Sequence, residues 1–194
     1  MHRVGIVLAA LVALTTAAFA QDWIEFTDKA EMFSVNLPEQ PKIEDVTMES
    51  EYGAMLTGKK YTANQRNNHY YVTVWNYLDA EVTDVRGSYA YLAHLFRERE
   101  KGSELTYDAF AQIDRIEGHQ LQFTRPDKRR LFIAIHLHKS RLYVLEADVA
   151  AGQPPPALFQ ASLSILDEEG RGVRYNIDAD GNRTRVLRGA AGAQ

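Results

Sequence analysis

Few residues in this sequence are suited to chemistry. His136-Leu137-His138 places two imidazoles two positions apart in the run RRLFIAIHLH. If that run is a strand, alternation sets both rings on one face and Leu131, Ile133, Ile135 and Leu137 on the other. Two histidines so spaced can ligate Zn²⁺ or Cu²⁺, and a metal-binding protein or hydrolase could be built on them. The site would need a third ligand from His69, His94, His119 or a carboxylate, and the sequence selects none. The ordinary alternative is a histidine pair at a strand end, beside the Lys139-Ser140 turn, solvated or packed on a helix. Asn176-Ile-Asp-Ala-Asp-Gly181 begins like a calcium loop, with oxygens at positions 1, 3 and 5 and glycine at 6. Leu187 stands where the bidentate glutamate is due, and the flanks read as extended. A hairpin turn explains the segment more simply.

Two basic clusters complete the candidates: Arg125 to Arg130 (RPDKRR), and Arg171, Arg174, Arg183, Arg185 and Arg188 near the C-terminus. Converging in space, they would bind an anionic partner; apart, they are solvated hairpins. The chain holds no glycine-rich phosphate loop, no G-x-S-x-G elbow and no cysteine, so motif-based catalysis has no foothold. No catalytic residue, cofactor or metal ligand is assigned. The formal net charge of −4 argues against a general nucleic-acid binder.

The elements that must position these residues begin after a leader. Arg3 precedes an apolar run of about ten residues, and Ala18-Phe19-Ala20 ends it with the small residues of a cleavage site. This is the pattern of a secretory signal peptide over residues 1–20, with export to the periplasm or beyond. The apolar run is shorter than the roughly 20 residues of a spanning helix, so no stable membrane insertion is expected after cleavage. Cleavage leaves 174 of the 194 residues and takes the formal charge to −5. With no cysteine, the domain must stand by burial alone.

Along the mature chain, WIEF and FSVNL read as short strands, and Pro38 ends the second because it cannot donate a ladder hydrogen bond. Residues 52–63 form a long strand, and HYYVTVWNYL (69–78) is the most strand-like run. Tyr70, Val72, Val74 and Leu78 share one of its faces; Tyr71, Thr73, Trp75 and Tyr77 share the other. Both faces are apolar, so both are covered. Tyr89, Leu92, Leu95 and Phe96 mark an amphipathic helix, capped by Asp84 or Ser88 and stopped at Gly102. Three further strands follow in GHQLQFTR, RRLFIAIHLH and RLYVLEADV. A second helix is expected over 157–167, after GQPPP. Residues 173–187 read as two strands about an Asp-Gly turn. The fold class is α+β: an α-β-α sandwich with a central, mainly antiparallel sheet, one helix on each face, and a C-terminal β-hairpin.

FSVNLPEQP near the mature start, then YYVTVWNYL, a helix, GHQLQF, RLYVLEAD and FQASLSIL resemble the PsbP-like domains, over roughly residues 23–167. The resemblance implies an α-β-α sandwich. That family includes a lumenal extrinsic subunit of photosystem II, a nuclear Ran-binding protein and many uncharacterised exported bacterial proteins, mostly non-catalytic. No functional residue of a member carries over. The expected organisation is a leader (1–20), a PsbP-like domain (21–170) and an arginine-rich hairpin and tail (171–194). The expected role is a non-catalytic binding or accessory domain of the cell envelope, with an unknown protein or anionic envelope partner. The alternatives are the His136–His138 metal site and an adaptor built on the arginine-rich hairpin.

Overall fold

A computed structural model of the chain describes residues 23–77 and 85–186. The leader expected over residues 1–20, Leu78, Asp84, Leu187 and Arg188 lie outside the described residues. In chain order the elements are β1 (Ile24–Asp28), β2 (Phe33–Leu37), β3 (Lys42–Glu49), β4 (Met55–Gln65), β5 (Asn68–Asn76), α1 (Val85–Arg99) and β6 (Glu104–Ile113). They continue with β7 (Ile116–Thr124), β8 (Arg130–His138), β9 (Arg141–Val149), α2 (Ala157–Ala161), β10 (Ser164–Ile165), β11 (Tyr175–Ile177) and β12 (Arg183–Arg185).

Seven strands make one sheet in the order β3-β4-β5-β9-β8-β7-β6, antiparallel at every pairing. The alternation read in β5 holds. Tyr70, Val72 and Val74 enter one core, whereas Trp75 and Tyr77 pack into the other. Each face is covered because each carries large apolar side chains, every one worth about 1.5–3 kcal/mol when withdrawn from water. Helix α1 covers the second face with Tyr89, Leu92, Ala93 and Phe96. Leu95, expected on that stripe, is 37 % exposed.

The first face is covered differently from the expected second helix. α2 stops at Ala161, and residues 164–165 turn into a strand. The reason is tertiary. The Ser162 hydroxyl donates to the Phe159 carbonyl (2.8 Å) and accepts from the Asn36 backbone N–H (2.8 Å). Ser164 and Ile165 then pair with Ser34 and Phe33, completing a three-stranded sheet β1-β2-β10. Free ladder groups on β2 outcompete continuation of the helix. Phe33, Val35, Leu37 and Phe159 pack from this small sheet and α2 onto the large one.

Pro38 follows β2, the middle strand of that small sheet. The chain crosses there to β3, which is the edge of the large sheet. Ser88 does not cap α1 from outside. It lies within the first helical turn, is fully buried, and its hydroxyl bonds Glu51, which also accepts from the Tyr77 hydroxyl (3.2 Å). Among the described residues no helix is long and apolar enough to cross a membrane.

Candidate functional site

The histidine pair lies at the end of β8, on the face of the small sheet. His136 is 2 % exposed and sits opposite Gly118 in the register. A Cβ on Gly118 would overlap its ring, so the glycine makes room for the imidazole. Burial pushes His136 down to about 4, against the pull of the Ile116 and Glu117 backbone. Nε2 of His138 is 3.0 Å from the Tyr175 hydroxyl. His69 bonds Asn64 (2.7 Å) and His119 bonds Asp108 (2.6 Å). Among the described residues no group of three histidines or carboxylates is placed to hold a metal ion. The third ligand a metal site requires is therefore not brought to His136 and His138.

The calcium-like segment is a turn. Asp178 accepts from the backbone N–H groups of Asp180 (3.0 Å) and Asn182 (2.8 Å) and from the Asn182 side chain (3.0 Å). These bonds, led by the Asn182 side chain, hold the Asp178 carboxyl below its usual range. The oxygens a cation would use are spent on the turn.

The basic clusters do not form open anion sites either. Arg125 forks onto Glu100 (2.7 and 2.8 Å) and reaches Asp148 (2.7 Å), while Arg129 takes the other Asp148 oxygen (2.7 Å). Hydrogen bonds from Arg125 hold Glu100 below its usual range despite burial. Near the C-terminus, Arg171 and Arg185 share Asp167, Arg174 meets Asp114 (2.9 Å), and Arg183 meets Glu117 (2.7 Å). Each of Arg171, Arg174, Arg183 and Arg185 is thus paired with a carboxylate of the body, although its side chain stays partly exposed.

A cleft that the sequence does not announce lies where α1 crosses the β6–β7 end of the sheet. Its cavity of about 370 Å³ is lined by Arg86, Tyr89, Phe110, Gln112, Glu117 and Gly118, among others. Phe110 is 73 % exposed on β6, the edge strand. Leu105 and Tyr107 of the same strand are each 43 % exposed. Tyr89 and His119 stand behind Phe110, with ring centroids 6.3 and 5.4 Å from it. The His119 Nε2–H donates to Asp108, and Arg97 grips both Asp108 oxygens (2.9 Å each). Burial opposes ionisation of Asp108, but His119 and Arg97 outweigh it and hold the carboxyl below its usual range. Nδ1 of His119 is buried without a hydrogen-bond partner. The His119–Asp108 pair therefore braces the wall of the cleft and does not line the cavity. The single sequence signal was Phe110 itself, a large apolar residue in a strand rich in polar and small ones.

No protein-family model matches the sequence, and no curated protein matches it. Among solved structures, the fold is similar to the solution structure of cyanobacterial PsbP (CyanoP) from Synechocystis sp. PCC 6803. The TM-score is 0.52 at 12 % sequence identity, over 77 % of this chain and 95 % of that one. Identity at that level speaks for the backbone alone. The chain has a PsbP-like fold.

Proposed function

We propose that this protein is an exported, non-catalytic binding module of the cell envelope, which takes a partner protein along the cleft between α1 and β6. The observation that carries the reading is Phe110: an aromatic ring 73 % exposed on an edge strand, over a cavity of about 370 Å³. Exposed apolar side chains beside a cleft mark interaction sites more often than isolated ones do. Phe110 supplies an aromatic anchor backed by the buried Tyr89, and Arg86, Gln112 and Glu117 supply a polar rim. The leader of residues 1–20 supports export. A binding role is favoured over catalysis because the best acid–base pair, His119 with Asp108, is locked by Arg97 and set behind the aromatic wall. The arginine-rich hairpin favours an adaptor less, since its paired arginines are engaged by the protein's own carboxylates.

Site-specific photocrosslinking in the native host tests the proposal. A crosslinking residue at position 110 should give a discrete adduct with one partner protein. The same residue at position 43, on the opposite edge of the sheet, should not. Indistinguishable patterns from the two edges would contradict it.

A further inference from the structure

The β11–β12 hairpin has strands of three residues each and almost no buried surface of its own. A ribbon this short does not persist alone in water. What holds it is a small set of polar contacts with the body. The Tyr175 backbone N–H donates to the Asp114 carbonyl (3.1 Å), and the Tyr175 hydroxyl meets Nε2 of His138 (3.0 Å). Arg174 pairs with Asp114, Arg183 with Glu117 and Arg185 with Asp167. Only Tyr175 adds packing against the core. We propose that this hairpin is an acid-released strap, latched over His138 through Tyr175, and that charging His138 lifts it from the sheet.

The surroundings of His138 decide the direction. Lys139 follows it in the chain, Arg141 lies across from it in β9, and Arg185 approaches from the hairpin. Glu31 is held by Arg141 and Asp167 by Arg185. Among the described residues no ion pair joins His138 to a carboxylate. A proton on the ring is therefore opposed by burial first, then by Lys139 and Arg185, and these push its pKa from the usual 6.5 down to about 4. With the strap lifted, the ring meets water and Arg185 withdraws, so the open form binds the proton better. The latch is then complete above pH 6.5 and weakens as the pH falls toward 4. Asp167 stays ionised through that window, because the Arg171 backbone N–H and the Arg185 and Arg171 side chains outweigh burial and hold its carboxyl well below the usual range. His136, two residues along the same face, is enclosed by the sheet at Gly118 and answers to opening of the body instead.

Lifting the strap also changes the cleft. Glu117 lines it and is shared by Arg183 of the strap (2.7 Å) and Arg86 of α1 (3.4 Å). Release returns that carboxylate to the cleft. This consequence rests on the binding role proposed above; the strap itself does not.

Hydrogen exchange by NMR on the whole protein tests the strap. The Tyr175 and Val186 amides, bonded to Asp114 and Arg174, report on it, with the Val144 amide in β9 as reference. After correction for intrinsic exchange, protection of Tyr175 and Val186 should fall about tenfold or more between pH 7.5 and 4.5, while Val144 holds. A His138→Gln variant should lose the pH response, and a His136→Phe variant should keep it. An independent reading is the ring titration of His138, which should rise toward 6.5 in a Tyr175→Ala variant. Protection that does not change with pH, an equal fall in His138→Gln, or an unshifted His138 in Tyr175→Ala would each overturn the proposal.

Discussion

The imidazole of His136 occupies the space a side chain on Gly118 would fill. The two residues face each other across β7 and β8, and a Cβ on the glycine would overlap both the ring and the Ile135 carbonyl. An aromatic-sized ring covering a strand glycine is a recurrent way to fix a sheet's register. Gly118→Ala should therefore be costly. The expected loss is about 2–4 kcal/mol in a denaturant titration, since the clash involves backbone and a buried ring that cannot move freely. A loss under about 0.5 kcal/mol would show that the ring has room to turn away.

The same burial gives a pH dependence. The folded-state pKa of His136 is lowered from 6.5 to about 4. Its contribution to stability is complete above pH 6.5 and is lost as the pH falls toward 4. The largest effect is about 3 kcal/mol, at about 1.4 kcal/mol per pKa unit. Unfolding free energies of the wild type and of His136→Phe, measured from pH 7.5 to 4.5, should diverge as the pH falls, with the wild type losing more. Parallel curves would mean that the ring is solvated.

Arg125 links two acids from distant parts of the chain, Glu100 after α1 and Asp148 in β9. Glu100 is 7 % exposed. Arg125→Ala removes both fork bonds from that carboxylate, leaving it Arg99 and Ser103, and should cost about 2–4 kcal/mol. Arg125→Ala combined with Glu100→Gln should recover part of the loss. Thermal denaturation of the two variants decides this, and no recovery in the double variant would deny the coupling.

Legibility in the sequence followed burial. β5, β8 and β9 were readable because two-sided burial demands apolar residues on both faces, and α1 because Tyr89, Leu92 and Phe96 repeat at helical spacing. The edge strands gave no such signal. β3, KIEDVTME, carries four charged residues in eight, and β6 buries little of its length. Charged or irregular edges discourage pairing with other chains, and the same property hides them from a periodicity test. Residues 157–167 kept a helical pattern of apolar residues, but the contact between Ser162 and Asn36 spans 126 positions and cannot be seen locally. The cleft was hidden for a related reason. Arg86 and Tyr89 reach Phe110 and Glu117 only after α1 has folded back over the sheet. The ion-pair partners of the arginines, Asp114, Glu117 and Asp167, are equally remote in sequence from most of them.

The boundary of the C-terminal segment can be drawn from burial. Val173 is 3 % exposed in the core, and its N–H bonds the Ile165 carbonyl (2.7 Å). Removing residues 174–194 should leave the domain folded, with a melting temperature lower by roughly a few degrees. Removing 171–194 should cost distinctly more, because Val173 leaves the core with it. Equal melting temperatures for the two truncations would place Val173 outside the cooperative unit.

The central claim, that Phe110 anchors a partner in the α1–β6 cleft, is tested most directly by one affinity. The partner found by crosslinking at position 110 should be titrated against the wild type, Phe110→Ala and Ile43→Ala, each checked for an unchanged melting temperature. Phe110→Ala should weaken binding by about tenfold to a hundredfold, as the loss of an aromatic anchor does at an interface centre, while Ile43→Ala should stay within about twofold. Binding of Phe110→Ala indistinguishable from the wild type would contradict the account.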